Sequence, residues 1–166
     1  MPRFAIVVMA LAASALALPR ASFAQTRVSV GVGGGIAGST ESSLSEGRSA
    51  PIVMGQVAAA VAPFVALGAE VNYWRRRVSS ITFATGEVQL HAPATPLRLT
   101  LGAGYGRGDP DGNGTISGVA GQLGAAYDVT VPVAPVAVTL FVNALVAHAS
   151  LRSAQMVDGG LAITWR

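Results

Sequence analysis

The chain has 166 residues, enough for one domain or one closed barrel. Only 11% of them are charged and 51% are hydrophobic, where a soluble domain carries roughly 25% charged residues, so an ordinary water-facing surface is excluded. The formal charge of +3 falls to +1, nine Arg against eight Asp plus Glu, once Arg3 and Arg20 are set aside with a removable leader; that leaves no basic patch for nucleic acid, and the absence of cysteine excludes disulfides and thiolate metal sites.

Residues 1–24 read as a secretory signal peptide. Arg3 supplies the positive start, Phe4 to Leu18 the apolar stretch, and Ser22-Phe23-Ala24 the small-x-small cleavage site before Gln25. The mature domain is then 25–166, and nothing in it runs for about 20 apolar residues without a polar residue or Pro, so helices are not how it meets an apolar phase. Strands are the other means.

Eight segments alternate with period two, which assigns each residue a face. Val28, Val30 and Val32 share one face of the first, against Gly31 and Gly33 to Gly35. The second sets Val53, Val57, Ala59 and Val61 against Met54, Gln56 and Ala58. The third sets Val65, Leu67, Ala69, Val71 and Tyr73 against Gly68, Glu70 and Asn72. The fourth sets Ala84, Val88 and Leu90 against Glu87, Gln89 and His91, and the fifth sets Leu97, Leu99, Leu101 and Tyr105 against Arg98, Thr100, Gly102 and Gly104. Val119, Leu123, Ala125 and Tyr127 oppose Gln122, Gly124 and Asp128 in the sixth. Val136, Val138, Leu140, Val142 and Val146 oppose Thr139 and Asn143 in the seventh. In the last, Val157 to Arg166, Val157, Leu161, Ile163 and Trp165 oppose Asp158, Gly160 and Thr164.

The gaps between segments take turns. Polar ones span Ser39 to Ala50, Arg75 to Ser80, Arg107 to Gly114 and His148 to Met156; short ones centre on Pro63, on Pro93 to Pro96 and on Pro132 to Pro135. Long loops at one end, tight turns at the other and an even strand number predict an all-β fold: an eight-stranded antiparallel up-and-down transmembrane β-barrel, apolar side out. A soluble barrel would need a charged exterior, whereas the second face here holds Gly, Ala, Thr and a few charges, which suits a narrow lumen. Two aromatic girdles are expected, Tyr73, Trp74, Phe83 and Tyr105 near the loop end and Phe64, Tyr127 and Trp165 near the turn end.

From Gln25 to Arg166 the sequence resembles the small eight-stranded outer-membrane barrels of the OmpA and OmpX type. Gly159 to Arg166 looks like their C-terminal strand, with Trp165 penultimate where the family pattern ends on an aromatic residue. The resemblance implies residence in the cell outer membrane, contact with its lipids, handling by the barrel-assembly machinery, and outward loops with a partner of their own. The chain is expected to be a monomer.

Within the lumen, Glu70, Asn72, Glu87, Gln89, Arg98, Gln122, Asp128 and Asn143 form the expected polar cluster, with an Arg98–Glu87 ion pair between neighbouring strands. Buried charges in so narrow a space must pair, so the cluster reads as a side-chain plug; a narrow conduit for small or hydrophobic molecules is the alternative. Asp109-Pro110-Asp111-Gly112-Asn113-Gly114-Thr115-Ile116-Ser117 resembles the first nine positions of an EF-hand loop, but Ala120 stands where the bidentate carboxylate belongs, and the same residues make turns. Arg107-Gly108-Asp109 spells an integrin-binding tripeptide. His148-Ala149-Ser150 resembles the His-x-Ser of outer-membrane lipid A deacylases, in which His148 would be the base and Ser150 the nucleophile; Leu151 replaces the expected Asn, and the nearest later acid is Asp158. Gly33 to Gly38 spells G-x-G-x-x-G with no helix after it. The expectation is therefore a barrel with no catalytic site, no metal and no cofactor.

Overall fold

The computed structural model describes residues 28–39, 49–75, 80–109, 115–132, 134–149 and 152–165. They form eight strands: β1 (Val28–Ser39), β2 (Ser49–Ala62), β3 (Val65–Arg75), β4 (Ser80–His91), β5 (Leu97–Asp109), β6 (Ile116–Thr130), β7 (Val136–Ala149) and β8 (Arg152–Trp165). Each is antiparallel to the next, and β1 pairs with β8 from Val30↔Trp165 to Ser39↔Met156, so the sheet is a closed barrel. Closure gives every strand two hydrogen-bonded neighbours and leaves no sheet edge.

Pro fixes the tight end. Pro63 and Phe64 alone join β2 to β3, with a register shift between Ala60 and Ala62. The β4–β5 turn is tied by Ala92 N–H to Leu97 O at 3.0 Å and carries Ala94 at φ 58°. Val131 N–H to Val136 O at 3.0 Å closes the β6–β7 turn. At the other end the expected gap from His148 to Met156 is much shorter in the structure. The β7–β8 ladder continues through Ala147↔Ala154 and His148↔Ser153 to Ala149↔Arg152. Alternation explains this, since polar residues at every second position extend a strand as well as they break one.

The alternation separates two surfaces. Outside stand Val30, Val32, Leu67, Leu99, Leu101, Leu123, Leu140, Val142, Leu161 and Ile163, all large, apolar and exposed. Inside, ten buried residues pack beneath the loop end, among them Ile52, Trp74, Ile81, Phe83, Leu145 and Met156, and a smaller group of Met54, Ala126, Phe141 and Ala162 lies nearer the turns. No helix among the described residues is long and apolar enough to cross a membrane.

Two of the expected girdle residues belong to this interior. Trp74 is 1% and Phe83 0% exposed, whereas Tyr105, Tyr127, Phe64 and Trp165 are about half exposed and Tyr73 partly so. Nearness to a strand end suggested the girdle, but parity decides the side: Tyr73 outward puts Trp74 inward, and Phe83 shares the face of Glu87 and Gln89. Trp74 sits between its register partners Ile52 and Ile81, and Phe83 lies against Gly106, where a Cβ would meet its ring at 3.3 Å.

The G-x-G-x-x-G segment has an explanation in the barrel wall. Gly31, Gly33 and Gly35 supply the inward face of β1. A Cβ on Gly31 would reach Gln56 Nε2 at 2.7 Å, and one on Gly35 would strike the carbonyl of Gly159 on β8. Bare backbone there lets β1 close on β8 and leaves lumen space to side chains from the other strands.

Candidate functional site: the hydrogen-bonded lumen

All eight expected lumen residues point inward and are buried: Glu70, Asn72, Glu87, Gln89, Arg98, Gln122, Asp128 and Asn143. The structure arranges them in three groups.

The first centres on Glu70. Its Oε1 accepts from Asn72 Nδ2 at 2.6 Å, from Gln122 Nε2 at 2.7 Å and from Asn143 Nδ2 at 3.3 Å, so one carboxylate gathers amides from its own strand, β6 and β7. Thr85 on β4 extends the group by donating to Gln122 Oε1 at 2.5 Å. A carboxylate carries only lone pairs and suits three donors, and each donor is thereby fixed in orientation. Gly124 makes room for the β7 partner, because a Cβ there would collide with Asn143 Oδ1.

The second group corrects the expected ion pair. Arg98 Nη1 donates to Gln89 Oε1 at 3.0 Å, and Gln89 Nε2 donates to Glu87 Oε1. Register is the reason: Arg98 stands opposite His91 and Glu87 opposite Gly102, four residues apart along the strands, and Gln89 fills the interval. The guanidinium and the carboxylate are joined by a relay.

The third group runs around the turn end. Thr139 Oγ1 donates to Asp128 Oδ1 at 2.7 Å and lies 3.1 Å from Thr164 Oγ1, which in turn accepts from Gln56 Nε2 at 3.4 Å. A hydroxyl has one proton, so Thr139's goes to Asp128 and Thr164 must donate to Thr139. The direction is then Gln56 to Thr164 to Thr139 to Asp128, across β2, β8, β7 and β6.

Sequence reasoning grouped neither the threonines nor Gln56 nor Asp158 with the cluster, although the parity that selected the other eight selects these too. Asp158 is the odd member. It is 2% exposed, neither carboxyl oxygen has a close hydrogen-bond partner, and Asn143, opposite it in register, gives one of its two N–H groups to Glu70. Among the described residues, the buried charges are four carboxylates, Glu70, Glu87, Asp128 and Asp158, against the guanidinium of Arg98.

Among the described residues, the other motifs do not assemble into a site. His148 is exposed on the outer wall between Val119 and Ser153, and Ser150 lies outside the described residues. Of the calcium-like loop, Pro110 to Gly114 lie outside them; Arg107 and Asp109 are the end of β5. No group of three or more His, Cys, Asp or Glu among the described residues could hold a metal ion. Residues 1–27, with the expected signal peptide, are not described.

No family model matches the sequence, and no curated protein matches it. Solved structures do match in fold. The attachment invasion locus protein Ail of Yersinia pestis superposes with a TM-score of 0.57 at 10% identity, over 86% of this chain and 100% of Ail. Neisserial surface protein A gives 0.55 at 14% identity, over 83% of this chain and 96% of that one. The N-terminal β-barrel domain of Pseudomonas aeruginosa OprF gives 0.51 at 13% identity, over 85% and 100%. The chain thus has the architecture of the small eight-stranded outer-membrane barrels, over essentially the whole of each counterpart.

Proposed function

We propose that the protein is a non-enzymatic outer-membrane β-barrel, a monomer whose lumen is a plug of side chains and whose work lies in envelope structure or in contacts made by its outward loops. One observation carries this reading: a continuous wall of exposed Val, Leu and Ile surrounds an interior closed by apolar packing and hydrogen bonds. Water does not tolerate such a wall and lipid does. The roles printed in the names of Ail, attachment and invasion, and of Neisserial surface protein A support placing the activity at the cell surface. Partly exposed Tyr73 and exposed Tyr105 at one rim, and Phe64, Tyr127 and Trp165 at the other, suit the two interfaces of a bilayer. The partners on this reading are outer-membrane lipids, the barrel-assembly machinery acting on β8, and a loop ligand.

The test is fractionation of cells expressing the full chain, followed by gel migration with and without heating. Recovery in the outer membrane with a heat-dependent mobility change is expected, and recovery in the periplasm without detergent would overturn the assignment. In planar bilayers the folded protein is expected to give no steady single-channel steps; steady, ion-selective steps would establish the conduit instead.

A further inference from the structure

Two glycine corners stand on opposite sides of the barrel. At the β1–β8 seam, Gly35 and Gly160 are register partners; a Cβ on Gly35 would strike the carbonyl of Gly159, and one on Gly160 that of Gly34. At the β4–β5 pair, a Cβ on Gly104 would strike the carbonyl of Ala84, and one on Gly108 that of Ser80. Glycine inside a strand marks such a corner, because only bare backbone lets neighbouring strands fold so closely toward each other. The outer face is small at both corners as well, with Gly34 and Gly159 at the first and Gly86 opposite Ala103 at the second. Within the β2–β3 pair Gly68 makes a looser approach, its Cβ 2.5 Å from the carbonyl of Val57. The two corners divide the closed ring into a wall of β1 to β4 and a wall of β5 to β8.

The lumen bonds sort by these walls. Asn72 to Glu70, Gln89 to Glu87, and Thr139 with Asp128 and Thr164 stay within one wall. Gln122 and Asn143 to Glu70, Thr85 to Gln122, Arg98 to Gln89 and Gln56 to Thr164 pass from one wall to the other. We infer that the barrel is a clamp whose two walls swing about the glycine corners, and that the bonds on Glu70 latch it shut over a passage for water and small cations. The inference rests on the plugged-lumen reading above. Hinges are positions that absorb a change of backbone angle, and glycine does so with no side chain to displace. Glu70 is on β3 and its partners are on β6 and β7, the middle of each wall, where a hinged wall moves furthest. The apolar cluster parts along the same plane, since Ile52, Trp74, Ile81 and Phe83 come from the first wall and Leu145 and Met156 from the second. Four carboxylates against the guanidinium of Arg98 give the opened passage its preference for cations.

Planar-bilayer recording and spin-label distances on the full folded chain test this. Gln122→Ala removes a bond between the walls, and Asn72→Ala removes one within a wall. The open fraction, rare and brief in wild type, is expected to rise about tenfold in Gln122→Ala, with cation-selective steps, and to stay at the wild-type level in Asn72→Ala. Thr85→Ala, which frees Gln122 from the opposite wall, acts in the same direction and takes the place of Gln122→Ala if that variant does not fold. Introduced cysteine pairs carry the labels, since the chain has no cysteine of its own. On opening, labels at exposed Leu67 and Leu140, on β3 and β7, move apart, while labels at exposed Val32 and Leu101, on β1 and β5, draw together. Equal open fractions in Gln122→Ala and Asn72→Ala, or separation along both axes, would overturn the inference. Heat-dependent gel migration keeps the two readings apart: a chain that shows none fails as a barrel, and steady steps in the folded wild type overturn the plug. A folded Gln122→Ala that stays closed removes the clamp alone.

Discussion

The two halves of the lumen are lined by different chemistry. Beneath the loops, Ile52, Trp74, Ile81, Phe83, Leu145 and Met156 fill the barrel with apolar volume, made possible by small neighbours such as Ala120 and Gly106. Below them amides, hydroxyls and carboxylates hydrogen-bond to one another across strands, with Glu70 as the hub. Apolar packing tolerates shape changes in proportion to the volume lost. A polar network instead fails as a unit, because removing one acceptor strands several donors. The half rich in hydrogen bonds is therefore the more sensitive to a single substitution.

Glu70→Ala should therefore have the largest effect. It leaves the amides of Asn72, Gln122 and Asn143 without their shared acceptor in a buried site, and a loss of about 4 kcal/mol is expected. Urea unfolding followed by the heat-dependent gel shift measures it. Glu70→Gln keeps an acceptor oxygen and should lose about half as much. Equal losses for the two would mean that the charge matters and the hydrogen bonds do not.

Trp74→Ala comes next, at about 3 kcal/mol, the ordinary effect of deleting a large aromatic group from a packed interior. The same residue offers a sharper test of where the two halves lie relative to lipid. The chain has two tryptophans, Trp74 inside the barrel and Trp165 on its outer wall. In bilayers with brominated acyl chains, fluorescence of the Trp74→Phe variant, which retains Trp165, should be strongly quenched. That of Trp165→Phe should be nearly untouched, and the reverse result would place Trp74 in the girdle after all.

That tryptophan also marks where sequence stopped being a guide. Strand parity alone was sufficient to place Glu70, Asn72, Glu87, Gln89, Arg98, Gln122, Asp128 and Asn143 on one face, because a barrel side chain has only two directions to take. Trp74 and Phe83 lie inside because that parity outweighs the interfacial preference of aromatic residues. The partners were not legible, since they depend on register and on contacts across the lumen. Nothing in the sequence says that Gln89 stands between Arg98 and Glu87, or that Glu70 on β3 meets Asn143 on β7. Parity sets glycines on the inward face of β1, and why glycine stands there appears once Gly35 is seen against the backbone of β8.

The smallest effect expected is a gain. Asp128 and Asp158 are both buried carboxylates in the lumen, but Asp128 accepts from Thr139 at 2.7 Å while both oxygens of Asp158 lack a hydrogen-bond partner. Asp158 sits beside Ala37 on β1 and opposite Asn143, which gives one of its two N–H groups to Glu70 and is the one amide beside Asp158 in register. Asp158→Asn removes that charge at nearly constant volume and should raise stability by about 1 kcal/mol, whereas Asp128→Asn, which disturbs a working acceptor, should lower it by a similar amount. Opposite signs in parallel urea titrations are the expected result. If both variants lose stability equally, Asp158 has a stabilising partner in solution, and the polar half of the lumen is more completely satisfied than its hydrogen bonds show.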